Sequence, residues 1–108
     1  MASLSVYKCD IDGGAPTFTA ATAAGDSFAN SGRVILIVKN GGTAETTVTV
    51  DAVRLCNYGY DHNATMTVAA GGEGWMGVFP VFWYNDGEGL AHITYTATAD
   101  VTVAVVEV

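Results

Sequence analysis

The stretch AHITYTA, residues 91–97, alternates between apolar and polar side chains over its whole length. A period of two places Ile93 and Tyr95 on one face of a β-strand, and His92 and Thr94 on the other. A helix would need an apolar repeat of three or four residues, which this stretch lacks. It therefore predicts a half-buried strand with Ile93 and Tyr95 in the core.

Other windows repeat or modify this pattern. The segment Thr46–Val50 places its valines on the inner face and its central threonines outside, and residues 65–68 do the same with Met66 and Val68. Residues 34–38 are apolar on both faces, as expected of a strand that is covered on both sides. This last strand is predicted to be central in its sheet.

Extending the reading to the whole chain gives about eight short strands separated by turn residues. They are predicted at residues 4–8, 17–20, 33–40, 46–54, 64–69, 74–82, 91–98 and 101–108. Glycine-containing turns are predicted at 12–14, 40–42, 70–72 and 85–87, longer loops at 21–32 and 55–63, and no helix is predicted. The sequence thus predicts one all-β domain over residues 1–108, a jelly-roll-like β-sandwich, with an immunoglobulin-like sandwich as the alternative because periodicity does not reveal strand order.

Composition narrows the classes of function. Half of the 108 residues are hydrophobic and only 14% are charged, which excludes a disordered chain. A formal charge of −7 would repel a phosphate backbone, so nucleic acid is not an expected partner. The apolar runs are far shorter than the roughly 20 residues that cross a bilayer, so no membrane span is expected. The start of the chain lacks the pattern of a secretory signal, so Cys9 and Cys56 are expected to be reduced and buried, with a disulfide between them as the alternative in an oxidising compartment.

Possible metal sites have simpler interpretations. Asp10 and Asp12 precede a glycine pair, but the other ligands of a calcium loop are missing, so a turn is expected. His92 is expected on the surface or in a cross-strand pair. Because the two histidines and two cysteines have unrelated spacings, no zinc site is predicted.

Catalysis is not expected either. Asp61 and His62 are adjacent in sequence, and no nucleophile motif accompanies them. Asp86 and Glu88 are expected at a hairpin tip exposed to water. The sequence therefore predicts a protein without catalytic residues, metal or cofactor.

The densest unusual feature is the segment WMGVFPVFWY at residues 75–84. If the strand continued through Pro80, one face of a sheet could not bury all its large side chains. Trp and Tyr often anchor protein interfaces, so a surplus here indicates contact with a partner. The candidate partner-binding residues are Tyr58, Tyr60, Trp75, Trp83 and Tyr84.

Several short motifs occur in series along nearly the whole chain: SFANSGR at 27–33, VKNGG at 38–42, AAGG at 69–72, FP at 79–80 and NDxxG at 85–89. This series resembles small bacteriophage structural proteins, in particular head decoration (cement) proteins. The resemblance implies a virion protein made in the cytoplasm of the bacterial host and placed on the capsid surface. It also implies binding to the phage major capsid protein and a homo-oligomer, commonly a trimer.

Other functions remain open from the residues. Related small β-folds serve as head–tail joining or tail proteins. A carbohydrate-binding β-sandwich module is a further alternative, because such modules present Trp and Tyr rings to sugars in a row.

Overall fold

The computed structural model of the protein describes residues 2–52 and 63–108. Ten strands and one helical turn lie in these two ranges. In chain order they are β1 (Ala2–Leu4), β2 (Val6–Lys8), β3 (Thr19–Ala20), β4 (Asp26–Ala29), β5 (Val34–Asn40), β6 (Thr46–Val50), β7 (Ala64–Val68), β8 (Glu73–Met76), α1 (Val81–Tyr84), β9 (Leu90–Tyr95) and β10 (Val101–Glu107).

The strands form two sheets that pack face to face. Sheet I has the order β1-β4-β9-β6-β7, and sheet II has the order β2-β10-β5-β8, with β3 also paired to β10. The antiparallel pairs β3 with β10, β4 with β9, β5 with β8 and β6 with β7 are nested along the chain. This nesting is the jelly-roll arrangement, so the predicted all-β, jelly-roll-like sandwich is confirmed.

The first eight residues depart from the antiparallel pattern. The predicted single strand at 4–8 is instead two strands, β1 and β2, separated by Ser5. β1 pairs in parallel with β4 at the edge of sheet I, and β2 pairs in parallel with β10 in sheet II. The N-terminal segment therefore crosses from one sheet to the other and closes one side of the sandwich.

The core lies between the sheets and follows the alternation of the strands. Ile93 is fully buried, and Tyr95 is half-buried against the same cluster, as predicted. β5 lies between β10 and β8, which confirms its predicted central position. The buried core residues are Leu4, Phe28, Val34, Leu36, Val38, Val48, Val50, Val68, Phe79, Ala91, Ile93, Val101, Val103 and Val105.

Further predictions of local structure were wrong, including the prediction that the chain has no helix. The loop predicted at 21–32 contains β4, whose consecutive buried residues Asp26, Ser27 and Phe28 hide any period of two. The strand predicted at 74–82 ends at Met76, because the backbone at Gly77 has a φ of 134° that only glycine adopts readily. A Cβ atom there would lie 2.7 Å from the Val34 carbonyl oxygen, so a residue with a side chain would clash at this position.

Beyond Gly77 the chain forms α1 instead of continuing the strand. Pro80 stands before the first helical residue, where a missing N–H costs nothing, and its carbonyl accepts from the N–H of Trp83 and of Tyr84. This single turn of four residues is far too short to cross a membrane, and the described residues include no helix long and apolar enough to do so.

Cys9 differs from the sequence-based expectation. Its side chain is an exposed free thiol and not a buried one, because it follows the last residue of β2, where the chain leaves the sheet. Cys56 lies outside the described residues.

The Ile93→Ala variant tests the assignment of the core face. Removing a fully buried aliphatic side chain should lower the free energy of unfolding by about 2 to 5 kcal/mol. Chemical denaturation followed by tryptophan fluorescence measures this loss. Thr94→Ala, on the exposed face of the same strand, is the control and should stay within about 0.5 kcal/mol of the wild type. Equal stability of the two variants would contradict the assignment.

Candidate functional site

The structure separates the predicted partner-binding residues. Trp75 lies on the outer face of sheet II and is 62% exposed. Trp83 and Tyr84 are half-buried in α1, on the connection between β8 and β9. Tyr58 and Tyr60 lie outside the described residues. The three described members therefore lie on two different elements, whereas a continuous strand would have placed Trp75 and Trp83 on the same face.

The connection between β8 and β9 carries an exposed apolar ridge, which consists of Val78, Val81 and Phe82. Their exposed fractions are 53%, 45% and 60%. The Phe82 ring also stands edge-on to Trp83, with 5.1 Å between ring centroids. Exposed apolar side chains this close together in the sequence indicate a candidate protein–protein contact.

The inner side of the same connection is anchored in the core. Phe79 is only 2% exposed, and its ring lies 5.8 Å from that of Phe28 and 5.7 Å from that of Tyr84. Tilted and edge-to-face ring pairs of this kind add to the free energy of burial. Tyr84 thus contributes to packing, and the ridge is carried by a segment that Phe79 anchors in the core.

Two asparagines fix the backbone of this connection. Asn30 Nδ2 donates to the Phe79 carbonyl at 3.0 Å and to Asn85 Oδ1 at 2.7 Å. Asn85 Nδ2 in turn donates to the Asn30 carbonyl at 2.7 Å, and Asn30 Oδ1 accepts from the N–H of Gly32. Asn30 is only 6% exposed and its bond to the Phe79 carbonyl is buried, so losing this bond would leave a buried polar group unpaired. The ridge is therefore presented on a rigid backbone.

Trp75 belongs to a second surface, the outer face of sheet II. Its indole Nε1 donates to Glu73 Oε2 at 2.8 Å, which fixes the ring although it is exposed. Beside it lies a shallow cavity of about 210 Å³. The residues that line this cavity are Tyr7, Cys9, Gly14, Pro16, Ile35, Ile37, Trp75, Val106 and Val108.

Asp86 and His92 form a close pair at the start of β9. His92 Nε2 lies 2.6 Å from Asp86 Oδ2, and Asp86 Oδ1 accepts from the N–H groups of Glu88 and Leu90. The bond to His92, helped by these two backbone bonds, lowers the pKa of Asp86 from its ordinary value of 3.8 to about 2. The carboxylate predicted at an exposed tip therefore holds the turn together.

The Asp86–His92 pair does not form a catalytic set with Ser27, its neighbour on the adjacent strand. Ser27 is opposite His92 in the register of β4 and β9, but it is only 3% exposed. A serine nucleophile must be accessible to its substrate. We interpret the pair as a structural contact between the turn and the strand.

Unlike Asp86, the carboxylate of Asp26 in sheet I is buried. Asp26 is fully buried, and its Oδ2 accepts from the Tyr95 hydroxyl at 2.7 Å and from the N–H of Thr22 at 3.2 Å. Burial, together with this carboxylate, raises the pKa of Tyr95 far above its usual value. Tyr95 therefore stays protonated and serves as a hydrogen-bond donor to β4.

The remaining candidate residues either form a turn or lie outside the described residues. Asp10 forms the predicted turn, with its carbonyl accepting from the N–H of Gly13 and its Oδ1 from that of Asp12. Within residues 2–52 and 63–108, no three acidic, histidine or cysteine side chains gather to hold a metal ion. Asp61 and His62 lie outside the described residues.

Sequence reasoning missed the Asn30–Asn85 network and the ridge. A signal was available, since Asn30 falls in SFANSGR, Phe79 in FP and Asn85 in NDxxG, three motifs of the series that resembles phage structural proteins. The structure brings these motifs together although 49 and 55 residues separate Asn30 from its two partners. Comparison with protein-family models, with curated proteins and with solved structures gives no match.

Replacing Asp86 by Asn tests the turn contact through its pH dependence. Because the pKa of Asp86 is lower in the folded protein, its charge stabilises the fold above about pH 4, and this contribution disappears as the pH falls towards 2. Thermal melts should show Asp86→Asn below the wild type at pH 6, with the difference closing on acidification. Glu88→Gln removes an equal charge without the His92 bond and serves as the control. A gap between wild type and Asp86→Asn that stays constant from pH 6 to 2 would contradict this role.

Proposed function

We propose that this chain is a non-enzymatic virion structural protein, a decoration protein that binds the outer surface of a bacteriophage head and stabilises it. The observation that carries the proposal is the exposed apolar ridge on a rigid backbone. The three apolar side chains of the ridge are exposed to water. The segment that carries them is hydrogen-bonded to Asn30 and packs into the core with the Phe79 ring. Such preorganised apolar groups are suited to bind a protein surface, because little entropy remains to be lost on binding.

The motifs that resemble phage structural proteins support the proposal from a second direction. Three of them supply Asn30, Phe79 and Asn85, which fix the ridge in place. These three motifs meet in the fold beneath the ridge. The residues that resemble phage structural proteins are therefore also the residues that hold the proposed contact surface. A decoration protein needs such a surface and no reaction centre.

Binding at the joints between capsid subunits would stabilise the shell by mass action. A protein that binds the assembled shell and not its separated subunits raises the free energy needed to pull the shell apart. The phage major capsid protein is thus the proposed partner and the capsid surface the proposed location. A head–tail or tail accessory role is the alternative within the same class.

The binding test uses purified chain added to expanded phage heads that lack it. The chain should co-sediment with these heads and raise the temperature at which they lose their contents. Phe82→Ala should weaken binding by about 2 kcal/mol, roughly thirtyfold, as truncation of an interface anchor does. Thr94→Ala, an exposed change on the inner strand β9 of sheet I, is the matched control and should bind like the wild type.

The outcomes separate the alternatives. Failure to bind heads together with binding to isolated tails would favour the tail role and overturn decoration. Binding to heads that is unchanged in Phe82→Ala would place the contact away from the ridge. Circular dichroism of Phe82→Ala confirms that any loss comes from the surface and not from unfolding.

Trp75 favours a second candidate, carbohydrate binding. Its ring is 62% exposed, its indole is fixed by Glu73, and a cavity of about 210 Å³ lies beside it. An exposed, fixed indole is the platform on which sugar rings stack. If this site binds sugar, soluble polysaccharides should shift the tryptophan fluorescence of the wild type and not that of Trp75→Ala. Trp83→Phe, which retains Trp75, is the control and should respond like the wild type. A lack of response in the wild type would remove this candidate.

A further inference from the structure

The two lateral sides of the sandwich differ in how their strand edges are finished. On one side, β1 and β2 cover the edges of β4 and β10, and Lys8 and Glu107 form an ion pair there. On the other side, β7 is the last strand of sheet I and β8 the last strand of sheet II. Of the strands that the structure describes, only β6 pairs with β7.

The backbone groups that β7 leaves open can be identified from the ladder. The N–H of Thr96 donates to the carbonyl of Thr47 at 3.1 Å, so Thr47 uses its backbone groups towards β9. Alternate residues of an antiparallel strand direct their backbone groups to opposite sides. Val48, the next residue of β6, therefore directs its backbone groups towards β7, where it is paired with Met66. Thr65 and Thr67 therefore direct their N–H and C=O groups away from β6, and both residues are exposed.

The sequence of β7 contains none of the devices that protect an edge. The strand reads ATMTV, with no charged residue, proline or glycine. Soluble proteins usually block such edges with charges, prolines, bulges or covering segments, because an open edge pairs with other chains. Around β7, the stretch 63–72 carries no charge, although the chain as a whole has a formal charge of −7. The β7 strands of two copies therefore bring no like charges of this stretch together.

We propose that β7 pairs with β7 of a second copy of this chain in a two-fold, antiparallel arrangement centred on Met66. Thr65 of one copy then lies opposite Thr67 of the other, and their outward N–H and C=O groups satisfy each other. The inference does not depend on the proposed function, since it concerns how copies of the chain associate with one another.

The side chains of β7 are self-complementary in this register. Thr65 and Thr67 form cross-strand threonine pairs, which stabilise antiparallel sheets. Sheet I already contains one such pair, with 3.2 Å between the Oγ1 atoms of Thr47 and Thr67. On the inner face, Met66 and Val68 continue the core towards the second copy. The result is one continuous sheet through both copies.

The test measures the mass of the purified chain in solution by sedimentation over a range of concentrations. The wild type should sediment with the mass of two chains. Thr67→Lys places a charge opposite Thr65 of the second copy, and Thr65→Pro removes an outward N–H without touching the β6 ladder. Both variants should sediment as single chains.

Controls and a second readout keep the test decisive. Thr94→Lys carries the same new charge on the same face, but on the inner strand β9, and should remain a dimer. In the wild type, the amides of Thr65 and Thr67 should exchange with deuterium slowly, and in Thr67→Lys quickly. Circular dichroism checks that each variant keeps the fold of the wild type.

A wild type that is monomeric at every concentration would overturn the proposal. So would a dimer or trimer that persists unchanged in both Thr67→Lys and folded Thr65→Pro. Because no capsid is present in these measurements, failure here is distinguishable from failure of the decoration proposal.

Discussion

The pairing of β5 with β10 is the interaction on which the other elements depend. Seven residues of each strand are in antiparallel register, from Val34 opposite Glu107 to Asn40 opposite Val101. On the inner face they contribute Leu36, Val103 and similar branched side chains to the core, and on the outer face Ile37 and Val106 are also nearly buried. Both strands are therefore apolar on both faces, and a stable fold must cover both the inner and the outer face of sheet II. Sheet I covers the inner face.

Part of the outer face is covered by β2 and by the segment that joins it to β3. Tyr7 and Pro16 line the cavity over Ile35 and Ile37, and the Phe18 ring packs beneath the Lys39 ammonium at 4.2 Å. This requirement explains why the N-terminal segment crosses the sandwich and returns before β3. It also leaves Trp75 at the rim of the covered area, exposed on one side. The outer face of sheet I has no such need, because it presents threonines such as Thr49 and Thr94.

Prediction from the sequence succeeded where alternation alone determines burial and failed where long-range contacts decide. Ile93, Val48 and the two-sided strand β5 were assigned correctly because period two is a local property of each strand. β4 was missed because Asp26 and Ser27 are polar residues buried by pairing with β9, which no local pattern reveals.

The candidate site shows the same division. The concentration of aromatic residues at 75–84 was visible in the sequence, but not which of them would be exposed. That outcome depends on the turn at Gly77 and on the bonds from Asn30, a residue remote in sequence, to the backbone at Phe79. Burial of Phe79 and exposure of Phe82 result from these contacts, not from alternation.

The ridge and the β7 edge occupy different parts of the molecule, and their separation matters for how they could act together. The connection that carries the ridge is bonded through Phe79 and Asn85 to Asn30, just after β4, and through Asn85 to Gly89, just before β9. In sheet I, β6 separates β9 from β7. Pairing through β7 would therefore leave the ridge of each copy open. A two-fold dimer would present two ridges at a fixed separation, and two weak contacts on a regular lattice of identical subunits reinforce each other when their spacing matches. A surface with few strong polar contacts could then hold firmly to a capsid lattice and weakly to a single capsid subunit.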